Sequence, residues 1–336
     1  MRILAIESSC DETAAAIVRD KYTVEASIVL SQAEMHAAYG GVVPEIASRK
    51  HIEVVAGLVD AVVKEAGMTS DALDAVAVTY APGLIGALLC GVSFAKSYAY
   101  AKKLPLIPVH HLRGHIAGNY LAFPDLKPPF VCLLVSGGHT LVVKVESFTK
   151  MTCMATTRDD AAGEAFDKIA RVLGLGYPGG PVIDKIAKEG DSTAYPLPTP
   201  KVDGAPLDFS FSGLKTAIIN LIHNAKQKDI DIHVPDLAAS FNTKVCTLLL
   251  DSALAVCKAE GLSTLCLAGG VAANSALREQ AAARTASAGI KLYAPPLHLC
   301  GDNAAMIAAQ AFYEFEAGNI APLNLNAYAT KDISLG

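Results

Sequence analysis

The chain contains 336 residues, of which 52% are hydrophobic and 18% are charged. This composition supplies a large core and excludes intrinsic disorder, which needs low hydrophobicity and high net charge. The net charge of −5 argues against a protein that coats nucleic acid through general basicity, but it is compatible with a local basic patch or with RNA delivered by partner proteins. At roughly 150 residues per domain, the length predicts about two domains.

The eight cysteines form no CxxC pair, and most of them lie in apolar runs. This pattern is typical of buried, reduced thiols in a reducing compartment. Glu7 comes too early for the apolar core of a signal peptide. The uncharged stretch 75–95 is interrupted by Pro82-Gly83, which favours a buried strand, a turn and a packed helix over a membrane span. We therefore expect a soluble, cytoplasmic protein with no membrane association.

Apolar periodicity predicts that the chain opens with short strands and then alternates helices and strands. The predicted strands cover 3–6, 14–19, 24–30, 75–79 and 106–109, and the predicted helices cover 44–66, 84–102 and the residues from about 111. Pro44 is suited to the first position of its helix, because the N–H that proline lacks has no helical partner there.

A proline-rich stretch at 123–129 has the character of a domain boundary. After it the opening pattern recurs, with predicted strands around Gly137-Gly138, a link typical of a hairpin. The predicted elements here are strands at 130–136, 140–145 and 265–268, and helices at 162–173, 181–189, 237–259 and from near Asn274. We expect two α/β lobes with a cleft between them, one of residues 1–122 completed by a C-terminal helix over about 303–336, the other of residues 123–302.

His111 and His115 are spaced so that their imidazoles share one face of a helix and can bind one metal ion. Asp302 is the strongest candidate for a third ligand. The alternatives are that the histidines are polar residues at a helix N-terminus and that Asp302 is the N-cap of the last long helix. A zinc-peptidase motif is excluded, because Leu112 stands where that motif needs glutamate and no HExxH occurs in the chain.

Glycine-containing turns follow several predicted strands, at 82–83, 136–140 and 268–274. Their backbone N–H groups can approach phosphate oxygens closely, and the hydroxyls of Ser136 and Thr140 add donors. Neither a GxxxxGK[ST] P-loop nor a GxGxxG between a strand and a helix occurs. Ordinary hairpin and helix-entry turns are the alternative, but two such turns at strand ends in one lobe favour a nucleotide or adenylate site.

Two acidic clusters are further candidates. Asp167 lies beside a glycine-rich turn and suits ribose hydroxyls, although ion pairs on one helix face, such as Glu164 with Lys168, explain this cluster equally well. The opening turn 7–13 holds three carboxylates and three hydroxyls, which indicates either a solvated turn or a hairpin that faces a phosphate or a cation. Cys10 has no identifiable partner there, and we expect it to be a bystander thiol.

Taken together, these motifs resemble those of the tRNA adenosine threonylcarbamoyltransferase (TsaD) family of the actin/Hsp70-like ATPase superfamily. The matching segments follow one another over essentially the whole chain, at 6–13, 39–45, 111–115, 134–140, 159–167, 209–215, 268–271 and 302–303. Each motif alone is weak, but the ordered set is specific. The resemblance implies a two-lobed actin/Hsp70-like (ASKHA) fold with the active site in the cleft between the lobes, and it leaves the role of 209–215 unassigned.

The resemblance also implies the ligands. His111, His115 and Asp302 would hold one divalent metal per subunit, Fe²⁺ or Zn²⁺. The residues lining the pocket for threonylcarbamoyl-AMP would be Leu134, Val135, Ser136, Gly137, Gly138, Asp167, Gly180, Asp184 and Asn274. The family transfers the threonylcarbamoyl group to N6 of the adenosine beside the anticodon, in tRNAs that read codons starting with A, and releases AMP.

These implications give an expected mechanism. We expect the adenylate to be polarised by the metal and held by backbone N–H groups of the glycine turns, while the tRNA amine attacks the carbamoyl carbon. Asp11 or Glu12 is the candidate for accepting a proton or positioning the amine. Arg113 is often acidic in the family, which predicts an altered potential at the mouth of the site.

The segment 39–45 resembles the bacterial and organellar branch of the family. That branch works with the paralogue TsaB and the ATPase TsaE, and a TsaC-type enzyme supplies the adenylate. Two alternatives come from other classes, a nucleotide-dependent binding module of the actin/Hsp70 kind and a metallopeptidase acting on glycoproteins. The histidine pair argues against the first, because such ATPases hold Mg²⁺ through phosphates and carboxylates, and Leu112 argues against the second.

Overall fold

In a computed structural model that describes residues 1–335, strands and helices gather around two sheets. The strands are β1 (Arg2–Glu7), β2 (Glu12–Arg19), β3 (Thr23–Ser31), β4 (Ala75–Ala81), β5 (Leu106–His110), β6 (Phe130–Val135), β7 (Thr140–Val145), β8 (Met151–Thr156), β9 (Thr264–Ala268) and β10 (Lys291–Tyr293). The α-helices are α1 (Ala33–Ala37), α2 (Pro44–Glu65), α3 (Ile85–Lys102), α4 (His111–Ala122), α5 (Ala162–Val172), α6 (Gly179–Ala187), α7 (Ser212–Gln227), α8 (Val234–Glu260), α9 (Ser275–Ser287) and α10 (Ala304–Glu316).

The first sheet has the strand order β3-β2-β1-β4-β5. β1, β2 and β3 form an antiparallel meander, and β4 and β5 add in parallel beyond β1. The central strands are continuous apolar runs because helices cover both faces of the sheet, α2 and α3 on one face and α10 on the other. β5 ends at His110 and α4 begins at the next residue, so the sheet positions the first turn of α4.

The second sheet has the strand order β10-β9-β6-β7-β8. β6 pairs antiparallel with β7 through a hairpin and parallel with β9 on its other side. The register places Leu134 opposite Ala268, so β6 and β9 reach their carboxyl ends side by side. The loops that follow these two ends are therefore neighbours, as is common for ligand-binding loops of parallel sheets.

The chain separates into two compact units. Unit 1 comprises residues 1–128, 146–152 and those from Pro295 onward, and unit 2 comprises residues 129–145 and 153–294. The boundaries predicted from the sequence lie after residues 122 and 302. The segment 146–152 belongs to unit 1 because Phe148 stacks on Tyr313, with ring centroids 4.0 Å apart, and its carbonyl accepts a hydrogen bond from Gln310.

The strands and helices predicted from periodicity are present, with small shifts at their ends, but four elements were not predicted. The helix α1 and the strand β10 are short. β8 contains two methionines and a cysteine and does not alternate apolar with polar residues, and α7 begins with Ser212-Gly213. Each lacks the local pattern on which such a prediction rests.

The prediction of a helix over about 303–336 is wrong beyond Glu316. α10 ends in a Schellman motif, in which Gly318 adopts φ +80° and the N–H of Asn319 donates to the carbonyl of Glu314 at 2.9 Å. Residues 317–335 continue without regular structure apart from a 3-10 turn at Ile333–Leu335. A membrane-crossing helix is not found within residues 1–335, since none of the helices there is both long and apolar enough.

A buried ion pair joins α4 to α10. The guanidinium of Arg113 lies 3.2 Å from Oε1 of Glu314, and both side chains are almost completely buried. Gln310 and Asn319 also donate to Glu314, at 2.8 and 2.6 Å. The expectation that Arg113 alters the potential at the mouth of the site is therefore wrong, because its charge is buried and paired within unit 1.

Replacing Glu314 with alanine is expected to lower the free energy of unfolding by about 3–5 kcal/mol, because the buried Arg113 then has no charge partner. The matched control is Glu316→Ala on the same helix. It removes only an exposed pair with Lys21 and should cost less than about 1 kcal/mol. Urea unfolding followed by circular dichroism measures both changes, and equal losses from the two variants would contradict the assignment.

Candidate functional site

Unit 1 brings together the three side chains proposed as metal ligands. His111 and His115 occupy the first two turns of α4, and Asp302 lies in the loop before α10. Oδ1 of Asp302 is 3.7 Å from Nε2 of His111 and 3.2 Å from Nε2 of His115, and the three ligand atoms all lie within 4.8 Å of one another. Residues far apart in sequence thus converge on one point.

The alternative explanation for Asp302 was a helix N-cap, and the structure assigns that role to its neighbour. Asn303 is the N-cap of α10, and its Oδ1 accepts a hydrogen bond from the backbone N–H of Met306 at 2.9 Å. The carboxylate of Asp302 is consequently available to face the histidines.

Two glycines of α4 lie in close contact with α10 and with the segment before it. A Cβ added at Gly114 would lie 2.6 Å from Cδ1 of Ile307, and one added at Gly118 would lie 3.3 Å from the carbonyl oxygen of Leu299. Gly114 lies between the two histidines in sequence. The absence of a side chain there brings the loop that carries Asp302 within reach of the imidazoles.

The residues present fit a divalent metal. His115 is buried, and neither of its ring nitrogens has a hydrogen-bond partner within residues 1–335. A buried imidazole without partners is costly, and a metal ligand would remove that cost. Two imidazoles and one carboxylate are a donor set used by both Fe²⁺ and Zn²⁺.

A second layer of polar groups orients His111. Its Nδ1 lies 3.2 Å from Oε2 of Glu7 and 3.1 Å from Oγ of Ser9, so Nε2 is left to face Asp302. Thr79 donates to the same carboxylate, and the backbone N–H of Ser9 donates to it at 2.6 Å. A carboxylate behind a metal-binding histidine fixes the ring and its tautomer. From the sequence alone, Glu7 is recognisable only as part of an acidic turn.

The charges of this layer shift the ionisation of the pair. Burial favours the neutral imidazole, but the carboxylates of Glu7 and Asp302 outweigh it and raise the pKa of His111 to about 9. Burial also opposes ionisation of Glu7, yet the neighbouring imidazole holds the pKa of this carboxyl below its usual range. Each group of this pair therefore favours the charged form of the other.

Asp11 and Glu12 lie in the turn between β1 and β2 and at the first residue of β2. Burial, together with the negative charges of Asp302 and Asp11, raises the pKa of Glu12 to about 9. Ser31 donates to Glu12 at 3.0 Å, and Glu12 also shares a hydrogen bond with Asp11. At neutral pH the raised pKa of Glu12 favours its protonated form. Burial also raises the pKa of the Cys10 thiol, which is unsuited to a nucleophile.

In unit 2, glycine-containing loops follow the adjacent carboxyl ends of β6 and β9. Leu134 and Val135 end the buried strand β6, Ser136 is buried, and Gly137 and Gly138 are exposed in the hairpin loop. In the second loop, Gly269 adopts φ +88°, and a Cβ there would lie 2.4 Å from the carbonyl oxygen of Val135. This close approach joins the two loops and leaves their N–H groups at one edge of the sheet.

Helix α5 fixes the hairpin loop from its other side. A Cβ at Gly163 would lie 2.6 Å from the carbonyl oxygen of Ser136, and the N–H of Ala162 donates to Oγ1 of Thr140 at 2.8 Å. Further along α5, Oδ1 of Asp167 accepts the N–H of Gly179 at 2.7 Å, which joins α5 to the start of α6. Gly180 has open space where a side chain would lie.

Asp184 and Asn274 belong to one hydrogen-bonded network. Asn274 caps α9 by accepting the N–H of Leu277 at 3.0 Å, and its Nδ2 donates to Asn242 at 2.8 Å. Asp184 accepts from Oγ of Ser275 at 2.9 Å and from Nδ2 of Asn242 at 3.3 Å. Asn242, in the middle of α8, links the two proposed ligands and was not identified from the sequence, because no local motif marks it.

The start of the segment 209–215 is held by hydrogen bonds to the carboxylate of Asp159. Asp159 accepts hydrogen bonds from the hydroxyls of Ser210 and Ser212, at 2.6 and 2.7 Å, and from the N–H of Phe211 at 2.8 Å. Burial opposes ionisation of Asp159, but these donors outweigh it and lower the pKa of this carboxyl. Asp159 thereby ties the start of α7 to the loop that leads into α5.

Comparison with known proteins agrees with this arrangement. A family model described as TsaD, tRNA N6-adenosine threonylcarbamoyltransferase, matches residues 23–309. A tRNA N6-adenosine threonylcarbamoyltransferase of Clostridium perfringens (strain SM101 / Type A) is 52% identical over 325 residues, covering 97% of this chain and 96% of that protein.

Two solved structures share the fold at low sequence identity. HypF of T. kodakarensis has a TM-score of 0.66 at 14% identity, covering 96% of this chain and 49% of that one. Component A of the Acidaminococcus fermentans (R)-2-hydroxyglutaryl-CoA dehydratase has a TM-score of 0.54 at 15% identity, covering 94% and 98% of the two chains. With the two five-stranded sheets, these likenesses confirm the predicted actin/Hsp70-like fold.

The substitution Gly269→Ala is expected to destabilise unit 2 by about 2 kcal/mol or more, because the new Cβ meets a backbone carbonyl at a strained φ. Gly270→Ala is the matched control, since nothing lies within 4 Å of its Cβ position. Urea unfolding gives both free energies. A Gly269→Ala protein as stable as the control would show that the close approach to Val135 is not required.

Proposed function

The chain belongs to the tRNA N6-adenosine threonylcarbamoyltransferase (TsaD) family, and we propose that it performs this reaction with a divalent metal held by unit 1 and with the adenylate held by unit 2. The chain transfers the threonylcarbamoyl group from threonylcarbamoyl-AMP to N6 of the adenosine beside the anticodon, in tRNAs that read codons starting with A, and releases AMP.

The convergence of His111, His115 and Asp302 carries the proposal for the metal. The family is metal-dependent, and this donor set suits Fe²⁺ or Zn²⁺. When bound, such an ion would act as a Lewis acid and polarise an oxygen of the threonylcarbamoyl-adenylate. Glu7 holds a proton at Nδ1 of His111, which keeps the Nε2 lone pair directed at the ion.

The loops of unit 2 support a role in binding the adenylate. The backbone N–H groups of the exposed residues Gly137, Gly138 and Gly270 can donate to the phosphate. Asp184 already occupies the N-terminus of α9, where it accepts the N–H of Ser275, so we assign the phosphate to the glycine loops. Asp167 and Asp184 are half-buried carboxylates that can also accept hydrogen bonds from the ribose hydroxyl groups.

For the attacking amine, the pair of Asp11 and Glu12 supports a role in positioning and proton acceptance. An exocyclic adenine amine is a poor nucleophile, so orientation and polarisation of the carbamoyl group contribute more than base catalysis does. Because the raised pKa of Glu12 favours its protonated form, we assign proton acceptance to Asp11.

We also propose a TsaB-type paralogue and a TsaE-type ATPase as partners, with the adenylate supplied by a TsaC-type enzyme. The net charge of −5 disfavours strong binding of tRNA by this chain alone. α2 and α3 contact each other at Ser48 and Gly86, and nearby they expose Ile52, Ile85 and Leu89, with exposed fractions of 67%, 47% and 41%. Clustered apolar side chains of this kind support a protein partner.

A cytoplasmic location is part of the same proposal. It is supported by the tRNA substrate and by the cysteines, all eight of which are free thiols within residues 1–335.

His111→Ala and His115→Ala are each expected to lose bound metal and to slow threonylcarbamoyl transfer by about 100-fold or more, the scale on which losing one electrostatic stabiliser acts. The assay is a single turnover with purified chain, TsaB, TsaE, threonylcarbamoyl-AMP and unmodified tRNA, and metal content is measured by mass spectrometry. His223→Ala, an exposed histidine on α7, is the control.

Omitting TsaB or TsaE should reduce the yield of this assay, and robust turnover by the chain alone would overturn the proposal for partners. Wild-type activity in metal-free histidine variants would retain the transferase and reject the metal.

The same assay separates the two acidic residues. Asp11→Asn is expected to slow the transfer by about 100-fold, because it removes the acceptor, whereas Glu12→Gln keeps a neutral donor of the same shape and should retain most of the rate. The reverse order would make Glu12 the acceptor, and two unaffected variants would exclude both residues from proton transfer.

A further inference from the structure

The segment after α10, residues 317–335, crosses unit 1 as a strap held by backbone hydrogen bonds. The N–H of Ala321 donates to the carbonyl of Leu106 at 2.8 Å, at the start of β5. The N–H of Tyr328 donates to Tyr80 at 2.9 Å, and the carbonyl of Ala329 accepts from Gly83 at 3.1 Å. The strap therefore runs from β5 past the end of β4 towards the first turn of α4.

The last contacts of the strap are made with α4 itself. Nε2 of His110 donates to the carbonyl of Lys331 at 3.2 Å. Nε and Nη2 of Arg113 both donate to the carbonyl of Ile333, at 3.0 and 2.9 Å. We call these two contacts, of His110 with Lys331 and of Arg113 with Ile333, the strap anchors. They lie on either side of His111, at the residue before it and two residues after it.

The start of α4 depends on such external partners. Its N-cap residue, His110, makes no capping hydrogen bond with its side chain, and the helix starts directly from a strand. Arg113 is almost completely buried, so its guanidinium needs acceptors inside the protein. Glu314 neutralises its charge and accepts from Nη1, and the carbonyl of Ile333 accepts from Nε and Nη2. The position of this turn is thus determined from α10 on one side and from the strap on the other.

We propose that Arg113 is a positioning residue for the metal centre, which it serves by fixing the first turn of α4 to the strap at Ile333. This inference rests on the proposed metal site. Oδ1 of Asp302 is only 3.2–3.7 Å from the Nε2 atoms of His111 and His115. A small shift of the first turn of α4 therefore changes the distances between the three ligand atoms. Ligand sets must be held to within about half an ångström by the groups around them.

The test isolates the contact with Ile333 from the buried charge. Arg113→Met combined with Glu314→Gln removes the guanidinium without leaving an unpaired carboxylate, while Glu314→Gln alone keeps both hydrogen bonds to Ile333. Val62→Ala, at a buried position of α2, is a control for loss of stability in unit 1 away from α4. The full chain with these changes is titrated with Co²⁺, whose visible absorption reports the dissociation constant, and hydrogen exchange of residues 111–116 is measured without metal.

The double variant is expected to bind Co²⁺ about tenfold or more weakly, on the scale of residues that support metal ligands, and to exchange the amides of 111–116 faster. Glu314→Gln and Val62→Ala should bind Co²⁺ within about twofold of wild type. A chain that ends at Thr330 lacks both strap anchors and should match the double variant.

Two results would overturn the inference. If the double variant binds Co²⁺ as wild type does, Arg113 only stabilises the fold. If Val62→Ala weakens Co²⁺ binding equally, the effect comes from general stability. A wild-type protein that binds no Co²⁺ shows instead that the proposed metal site is wrong, and the role of Arg113 falls with it.

Discussion

The close packing of α4 against α10 is the constraint on which the site of unit 1 depends. A side chain at Gly114 would have to displace the terminal methyl group of Ile307, which packs against this glycine. The same contact holds the loop before α10 against the histidine face of α4. An acidic residue from one end of the chain and two histidines from its first third meet only because two helices lie within the distance that glycine allows.

Buried charge imposes the second constraint, and unit 1 satisfies it by pairing each buried charge with an opposite charge and with further hydrogen-bond partners. Arg113 has both a carboxylate and a carbonyl, and Glu7 has an imidazole, a threonine hydroxyl and a backbone N–H. Polar groups left unpaired in a low-dielectric interior are costly, so each of these sets fixes the elements that supply it. Among the histidines of the site, His115 differs because its ring nitrogens make no hydrogen bond within residues 1–335 and its Nε2 faces only the carboxylate of Asp302, as expected of a ligand.

Unit 2 reaches its arrangement by a different route. Two parallel strands end side by side, and the turns that follow them contain glycines at the positions where backbones touch, Gly163 against Ser136 and Gly269 against Val135. Side-chain amides and carboxylates then fix the helices that start behind these loops. Glycine loops therefore meet at one edge of the sheet, which supports the proposed phosphate site although no P-loop motif is present.

The sequence by itself determined the order of strands and helices, the histidine pair, its acidic partner and the family, because apolar periodicity and short motifs are local properties. It could not show that Asn303, and not Asp302, caps α10. It also could not show that Arg113 is buried and paired with Glu314 while His111 and His115 face Asp302. It also did not reveal Glu7 behind His111, Asn242 between Asp184 and Asn274, or the end of α10 at Glu316. These features depend on which elements touch across long stretches of chain, and only the tertiary structure decides that, since burial and hydrogen-bond partners arise from packing and not from neighbouring residues.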